Sequence, residues 1–161
     1  MNEELARICQ QDQEDRKDGL YSDLRKRDRT RRQRVTELID EGALQTSEDY
    51  FHAALVFQHG DKLEDYWQAH ELAKKAAEQG HPTGRWLAAA AYDRWLMNQG
   101  KPQKYGTQYT AHGDGPYRLW DVDPTTTDEE RAAWNVPPLA EALRRAEVLT
   151  RTRAFLTREK K

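Results

Sequence analysis

The segment from Ser47 to Gly100 constrains this chain most, because glycine-bearing turns cut it into three helix-length pieces. Thr46-Ser47-Glu48-Asp49 has the form of a helix N-terminus, with a capping hydroxyl followed by acids that complement the helix dipole. The helix it opens should run to about His59, and Gly60-Asp61 makes the next turn. Leu63, Tyr66, Trp67, His70, Ala73 and Ala77 then mark one face of a helix that stops at Gly80-His81-Pro82. A third helix, Thr83 to Asn98, carries Ala88-Ala-Ala-Ala91, small residues that let neighbouring backbones approach closely. Antiparallel packing of these three helices is therefore expected.

The flanking regions extend the helical pattern and then break it. Glu3 to Glu14 places Leu5, Ile8 and Cys9 at helical spacing, and Tyr21 to Asp40 does the same with Leu24, Val35, Leu38 and Ile39, with Asp18-Gly19 between them. After Gly100, Tyr105 to Thr110 and Tyr117 to Trp120 are rich in strand formers and flank His112-Gly-Asp-Gly-Pro116, which predicts a small β-hairpin. Thr127-Asp-Glu-Glu130 reads as a capping box for a short helix through Trp134. Pro137-Pro138 opens a last helix with Leu139, Leu143, Ala146 and Leu149 on one side, and Arg158 to Lys161 should fray. The fold class expected is mainly α, built from repeat-like antiparallel helical hairpins, with one small β-hairpin near the C-terminal third.

At 161 residues the chain has the size of one domain, 1–161, able to bury a core without disulfides or metals. Leu, Ile, Val and Phe number only 25, but five Trp and seven Tyr compensate, and eleven of those twelve rings lie between Tyr50 and Trp134. The core is thus expected at about 47–150. A net charge of −2 argues against general disorder. Cys9 is alone, so no internal disulfide is possible and a cytoplasmic home is the simplest expectation. No apolar run reaches membrane-spanning length, and the start Met-Asn-Glu-Glu lacks the plan of a signal peptide.

Arg16 to Arg34 holds nine Lys or Arg against three Asp. A solvated helix face explains this better than a nucleic-acid contact, since only Tyr21 interleaves the charges and no base-reading motif is present. His59, His70 and His81 recur every eleven residues but belong to different helices or turns, and Gly80 breaks the helix that Glu78-Gln-Gly-His81 would need to aim two metal ligands. His70 reads as a hydrogen-bonded core histidine. No phosphate-cradling loop, nucleophile elbow or cofactor fingerprint occurs, so no metal and no cofactor are expected.

Two resemblances bear on these residues. Ala69-His-Glu-Leu-Ala-Lys-Lys-Ala-Ala-Glu-Gln-Gly-His81, continuing to Trp86-Leu-Ala, resembles the Sel-one-like class of tetratricopeptide repeat, with helix ends at Gly60 and Gly100 near that repeat period. Gln11-Asp-Gln-Glu-Asp-Arg16, Val56-Phe-Gln-His59, Tyr92-Asp-Arg94 and Pro102-Gln-Lys-Tyr-Gly-Thr-Gln108 together resemble a widespread bacterial domain family of unknown function. That resemblance implies a fold and a set of positions and supplies no mechanism. The segment between Asp28 and Glu48 departs from the family in lacking a Gly-aromatic-Pro stretch.

The candidate site follows from these positions. His59 follows Leu55 and Val56 at helical spacing, and Arg94 shares a stripe with Leu87 and Ala91. A core-facing Arg needs a partner, for which Asp12, Asp65 or the Gln103 to Gln108 loop are candidates. His59, Arg94, Gln103, Tyr105 and Gln108, with Asp12, form the polar constellation to test. As a pocket, His59 would donate or accept a proton, Arg94 would hold an anionic group, and Tyr105 and Gln108 would orient it. As structure, Arg94 and the amides would tie the loop to the hairpin. The first functional expectation is a helical binding protein, taking an unidentified protein partner at exposed Tyr66 or Trp67 or a small anionic ligand at the hairpin's loop end. The second is a small cofactor-independent enzyme using His59 for proton transfer with Arg94 as anion anchor.

Overall fold

The computed structural model describes residues 1–159, with side chains to Arg153. Among them are seven α-helices and one two-stranded antiparallel sheet, so the mainly helical expectation holds. The helices are α1 (Glu3–Lys17), α2 (Leu24–Asp40), α3 (Ser47–Gln58), α4 (Leu63–Glu78), α5 (Gly84–Met97), α6 (Asp128–Ala133) and α7 (Leu139–Glu159). The strands are β1 (Tyr109–Thr110) and β2 (Arg118–Leu119). The chain forms two compact units, Met1–Ala91 and Tyr92–Lys161, whose boundary falls inside α5. No described helix is long and apolar enough to cross a membrane. The frayed end expected at Arg158 to Lys161 lies partly outside the described residues, with α7 continuing to Glu159.

In the first unit, α1 turns Leu5, Cys9 and Asp12 inward. α2 contributes Val35 and Leu38. The core therefore reaches well into the charged N-terminal helices, further than the aromatic distribution implied. Gly42, at φ +68°, takes the left-handed step that ends α2, with its N–H bonded to the Ile39 carbonyl and that of Ala43 to Leu38. Thr46 then caps α3 by accepting from Asp49 N, and Asp49 reciprocates at Thr46 N. Asp49 also accepts from Asn2 N at 2.6 Å and Gln45 N at 3.1 Å, pinning the start of α1 to the start of α3.

The α3–α4 turn is held by Asp65, which accepts from Asp61 N and Lys62 N, and by the Tyr66 hydroxyl, which donates to the Gly60 carbonyl at 2.9 Å. Tyr66 is consequently buried, not exposed. The inward face of α4 is Tyr66, Ala69, His70, Leu72, Ala73 and Ala76. Leu63 and Trp67 lie outside it, at 37% and 41% exposed, so the face is rotated from the one the apolar spacing marked. α4 meets α5 at very short range. A Cβ on Gly84 would sit 2.7 Å from Ala77 N, and Ala88 to Ala91 are all buried. His70 Nδ1 bonds the Ala88 carbonyl at 2.8 Å, the core role expected of it.

In the second unit, β1 and β2 pair with Tyr109 opposite Leu119 and Thr110 opposite Arg118. α6 carries the expected capping box between Thr127 and Glu130. α7 packs on the hairpin, with the Tyr109 hydroxyl donating to the Ala142 carbonyl and Tyr117 N to Thr150 Oγ1. Its inward residues are Ala142 and Ala146, while Leu143 is 54% exposed and leaves the side proposed for it.

Candidate functional site

On α1, residues 5, 9, 12 and 16 fall on one helical face, so an apolar stripe that begins with Leu5 and Cys9 continues directly into Asp12 and Arg16. Asp12 is completely buried. Its Oδ2 lies 2.8 Å from Nδ1 of His59, the residue that ends α3, whose side chain keeps 19% of its surface exposed. Asp12 Oδ1 accepts from Arg16 Nη1 at 2.8 Å, and Oδ2 also accepts from Gln13 Nε2 at 2.8 Å. Arg16 Nη2 continues to Asp28 Oδ2 at 2.7 Å. Arg31 bonds both Asp28 and Asp15, and reaches 4.0 Å from Asp12 Oδ1.

Much of the basic run is therefore engaged in ion pairs, while Arg25 and Arg29 remain largely exposed. Arg27 joins Asp15, Arg34 joins Glu4, and Arg32 reaches the His59 carbonyl at 2.9 Å and Asp61 at 2.7 Å. Cys9, one turn below Asp12, is no nucleophile: burial, with the Asp12 charge adding, pushes its thiol up to about 12.

The chemistry of this group follows from its donors. A carboxylate that accepts from a guanidinium and an amide is held as an acceptor, so the ring nitrogen facing it is the one that carries the proton. In the neutral ring that arrangement leaves the lone pair on Nε2, on a side chain that is partly exposed. An imidazole oriented through Nδ1 by a buried carboxylate is the arrangement that general bases use.

The remaining expected residues belong to the second unit. Asp93, fully buried, accepts from the backbone N–H groups of Lys104 and Tyr105 at Oδ1 and from those of Gly106 and Thr107, with the Thr107 hydroxyl, at Oδ2. Gly106, at φ +99°, supplies the left-handed step that turns these amides inward. Gln103 is fully buried: its Nε2 donates to the Gln108 and Trp120 carbonyls and its Oε1 accepts from Gln108 N. Tyr105 is buried against Tyr92 and Trp134, and burial pushes its hydroxyl up to about 12. Its carbonyl accepts from Nε of the fully buried Arg131. Gln108 Oε1 accepts from Arg94 Nε at 3.0 Å, so the loop supplies a partner for Arg94 as one of the candidates had it.

Of the expected residues, Asp12 and His59 meet in the first unit, and Arg94, Gln103, Tyr105 and Gln108 gather in the second. Gln103 and Tyr105 spend their polar groups on the loop itself. Asp28 and Arg131 carry no expectation from the sequence, and Arg16 and Asp93 stand there only as members of the quoted motifs. The spacing of Asp12 and Arg16, four apart on a helix, was the available signal for the first pair. Among the described residues no three His, Cys, Asp or Glu side chains are grouped to hold a metal ion. His81 instead stacks on Phe51 and bonds Glu48 at 3.2 Å. Compared with known proteins, the chain matches no family, no curated protein and no solved structure.

Proposed function

We propose that the chain is a small cofactor-independent enzyme whose proton-transfer group is His59, oriented by Asp12. The observation that carries this reading is the 2.8 Å contact between His59 Nδ1 and a carboxylate with no solvent exposure, on a ring that itself remains partly exposed. In the reaction, Nε2 takes a proton from an O–H, N–H or acidic C–H of a small substrate. The ring becomes an imidazolium stabilised by Asp12, and the proton then passes to the leaving group or back to the product. Arg94, whose Nε donates to Gln108 Oε1 in the second unit, is the residue proposed to anchor an anionic group. A cytoplasmic setting belongs to the same reading and is supported by the single buried cysteine.

The test is turnover or deuterium incorporation in D2O, followed by proton NMR with pooled small metabolites and the full chain. His59→Ala is expected to abolish it. Asp12→Asn should lower it by about 10³–10⁴, because an amide in that place can donate to Nδ1 and move the ring proton to Nε2. Equal turnover by wild type and His59→Ala would sink the reading.

A second reading, a module that binds a protein partner, is favoured by Leu63, Trp67 and Trp86, which expose 37%, 41% and 41% of their surface. Loss of partner capture in Trp67→Ala with full capture by His59→Ala would establish it in place of the first.

A further inference from the structure

We propose that Arg16 is a positioning residue for the His59 centre, acting through Asp12, and that Asp28 in turn holds Arg16; this rests on the reading of His59 as the proton-transfer group. The contacts form one line: Asp28 Oδ2 to Arg16 Nη2 at 2.7 Å, Arg16 Nη1 to Asp12 Oδ1 at 2.8 Å, and Asp12 Oδ2 to His59 Nδ1 at 2.8 Å.

Each link has a distinct physical task. Asp12 is completely buried, and a carboxylate without water stays charged only beside a cation or several donors. Arg16 supplies the hydrogen-bonded cation, at 2.8 Å from Oδ1 where Arg31 stands off at 4.0 Å. Its Nη1 also donates to the Asp12 carbonyl at 3.0 Å, so the guanidinium is anchored to the same residue twice. Four residues apart on α1, the two side chains rise from neighbouring positions of one face, and the helix sets their separation. Asp28 approaches from α2 and takes both Nη1, at 3.4 Å, and Nη2. A guanidinium gripped on two sides cannot swing away from Asp12. Asp28 is buried too, and Arg31 neutralises it from three residues along the same helix at 3.1 Å.

The consequence is a tautomer. With Asp12 held as an acceptor, the His59 ring carries its proton on Nδ1 and offers a lone pair at Nε2. Imidazole side chains in water favour the opposite placement. The line therefore inverts an intrinsic preference, and it does so from the far side of Asp12, without touching the ring. Gln13 adds a neutral donor to the Oδ2 that His59 uses, which fixes the carboxylate's rotation but brings no charge.

The experiment is long-range proton–nitrogen NMR of the histidine ring nitrogens, in the full chain, at a pH where the ring is neutral. His59 is assigned by the signal lost in His59→Gln. Wild type is expected to show the proton on Nδ1. Arg16→Met should lose that pattern, with the two ring nitrogens moving toward a common averaged shift, while Arg16→Lys restores it. A merely structural Arg16 would leave the pattern unchanged in Arg16→Met, and that result overturns the proposal. Should Arg16→Met fail to fold by circular dichroism, Asp28→Asn decides. Partial loss of the Nδ1 pattern supports the line, and an unchanged pattern overturns it. The readout needs no substrate, so absence of turnover would count against the enzyme reading alone. A wild-type proton on Nε2 would defeat both.

Discussion

At the scale of single residues, the N-terminal charge excess changes meaning once its partners are known. Arg16, Arg27 and Arg31 face Asp12, Asp15 and Asp28, three guanidiniums against three carboxylates, and Arg32 spends its charge on Asp61 and Asp65. Those pairs knit α1 to α2 and α2 to the α3–α4 turn. Asp12 and Asp28 are buried, and removing the guanidinium paired with either typically costs about 3–5 kcal/mol, because the carboxylate is left uncompensated. The sequence showed nine cations in nineteen positions and could not show that acids from elsewhere in the chain meet them. Cys9 offers a simpler check at this scale. With its thiol pushed up to about 12 and only 4% of its surface exposed, it should resist an aromatic disulfide reagent in the native state. Labelling should be at least about 10³ slower than in denaturant at pH 8. Rapid native labelling would mean that α1 opens readily.

Elements were the most legible level, and the reason is range. Thr46 with Asp49, and Thr127 with Glu130, satisfy backbone donors three residues away, so their role is written in adjacent letters. The faces of α4 and α7 were harder. Both helices carry more apolar residues than they bury, and periodicity cannot say which of two overlapping stripes meets a neighbour. Tyr66 rather than Trp67, and Ala142 rather than Leu143, turn inward. For Tyr66 the deciding contact is its hydroxyl on the Gly60 carbonyl.

The α3 cap carries a prediction of its own. Burial opposes ionisation of Asp49, yet the N–H groups of Asn2, Thr46 and Gln45 outweigh it and hold the acid at about 2. Its folded value lies below the ordinary 3.8, so its contribution to stability is complete above that value and fades as pH falls toward about 2. Asp49→Ala should cost about 1–2 kcal/mol in urea unfolding at neutral pH and flatten the acid limb between pH 4 and 2. An unchanged acid limb would show that Asp49 is not the titrating group.

Over the chain as a whole, each unit has a completely buried carboxylate that gathers polar partners, used differently in Asp12 and Asp93. In the first, Asp12 meets charged side chains and a histidine. In the second, Asp93 meets four backbone N–H groups and the Thr107 hydroxyl, closing the Lys104 to Thr107 turn, while Arg131 grips the Tyr105 carbonyl. The second unit's candidate residues were legible as a cluster, because Arg94 and Gln103 to Gln108 stand close in sequence. The hierarchy within them was not. The role of Asp93 is not visible in Tyr92-Asp-Arg94, since only the folded turn brings four amides onto one side chain. Asp93→Ala leaves those amides without an acceptor. It is expected to destabilise the second unit by about 3 kcal/mol and to strip hydrogen-exchange protection from residues 104–107, with α3 and α4 amides keeping theirs. Retained protection at 104–107 would show that the turn stands without its carboxylate.

That turn also bears on ligands. Four inward N–H groups around a Gly step make a receptor for an anion, and the chain has plugged it with a carboxyl of its own, which burial pushes up and the N–H groups of the turn pull back down. A phosphate or carboxylate from outside finds the receptor occupied. Emptied by Asp93→Ala, the same turn becomes a vacant socket sized for a small carboxylate, and millimolar formate or acetate should refill it and restore melting temperature, a chemical complementation that chloride would not match.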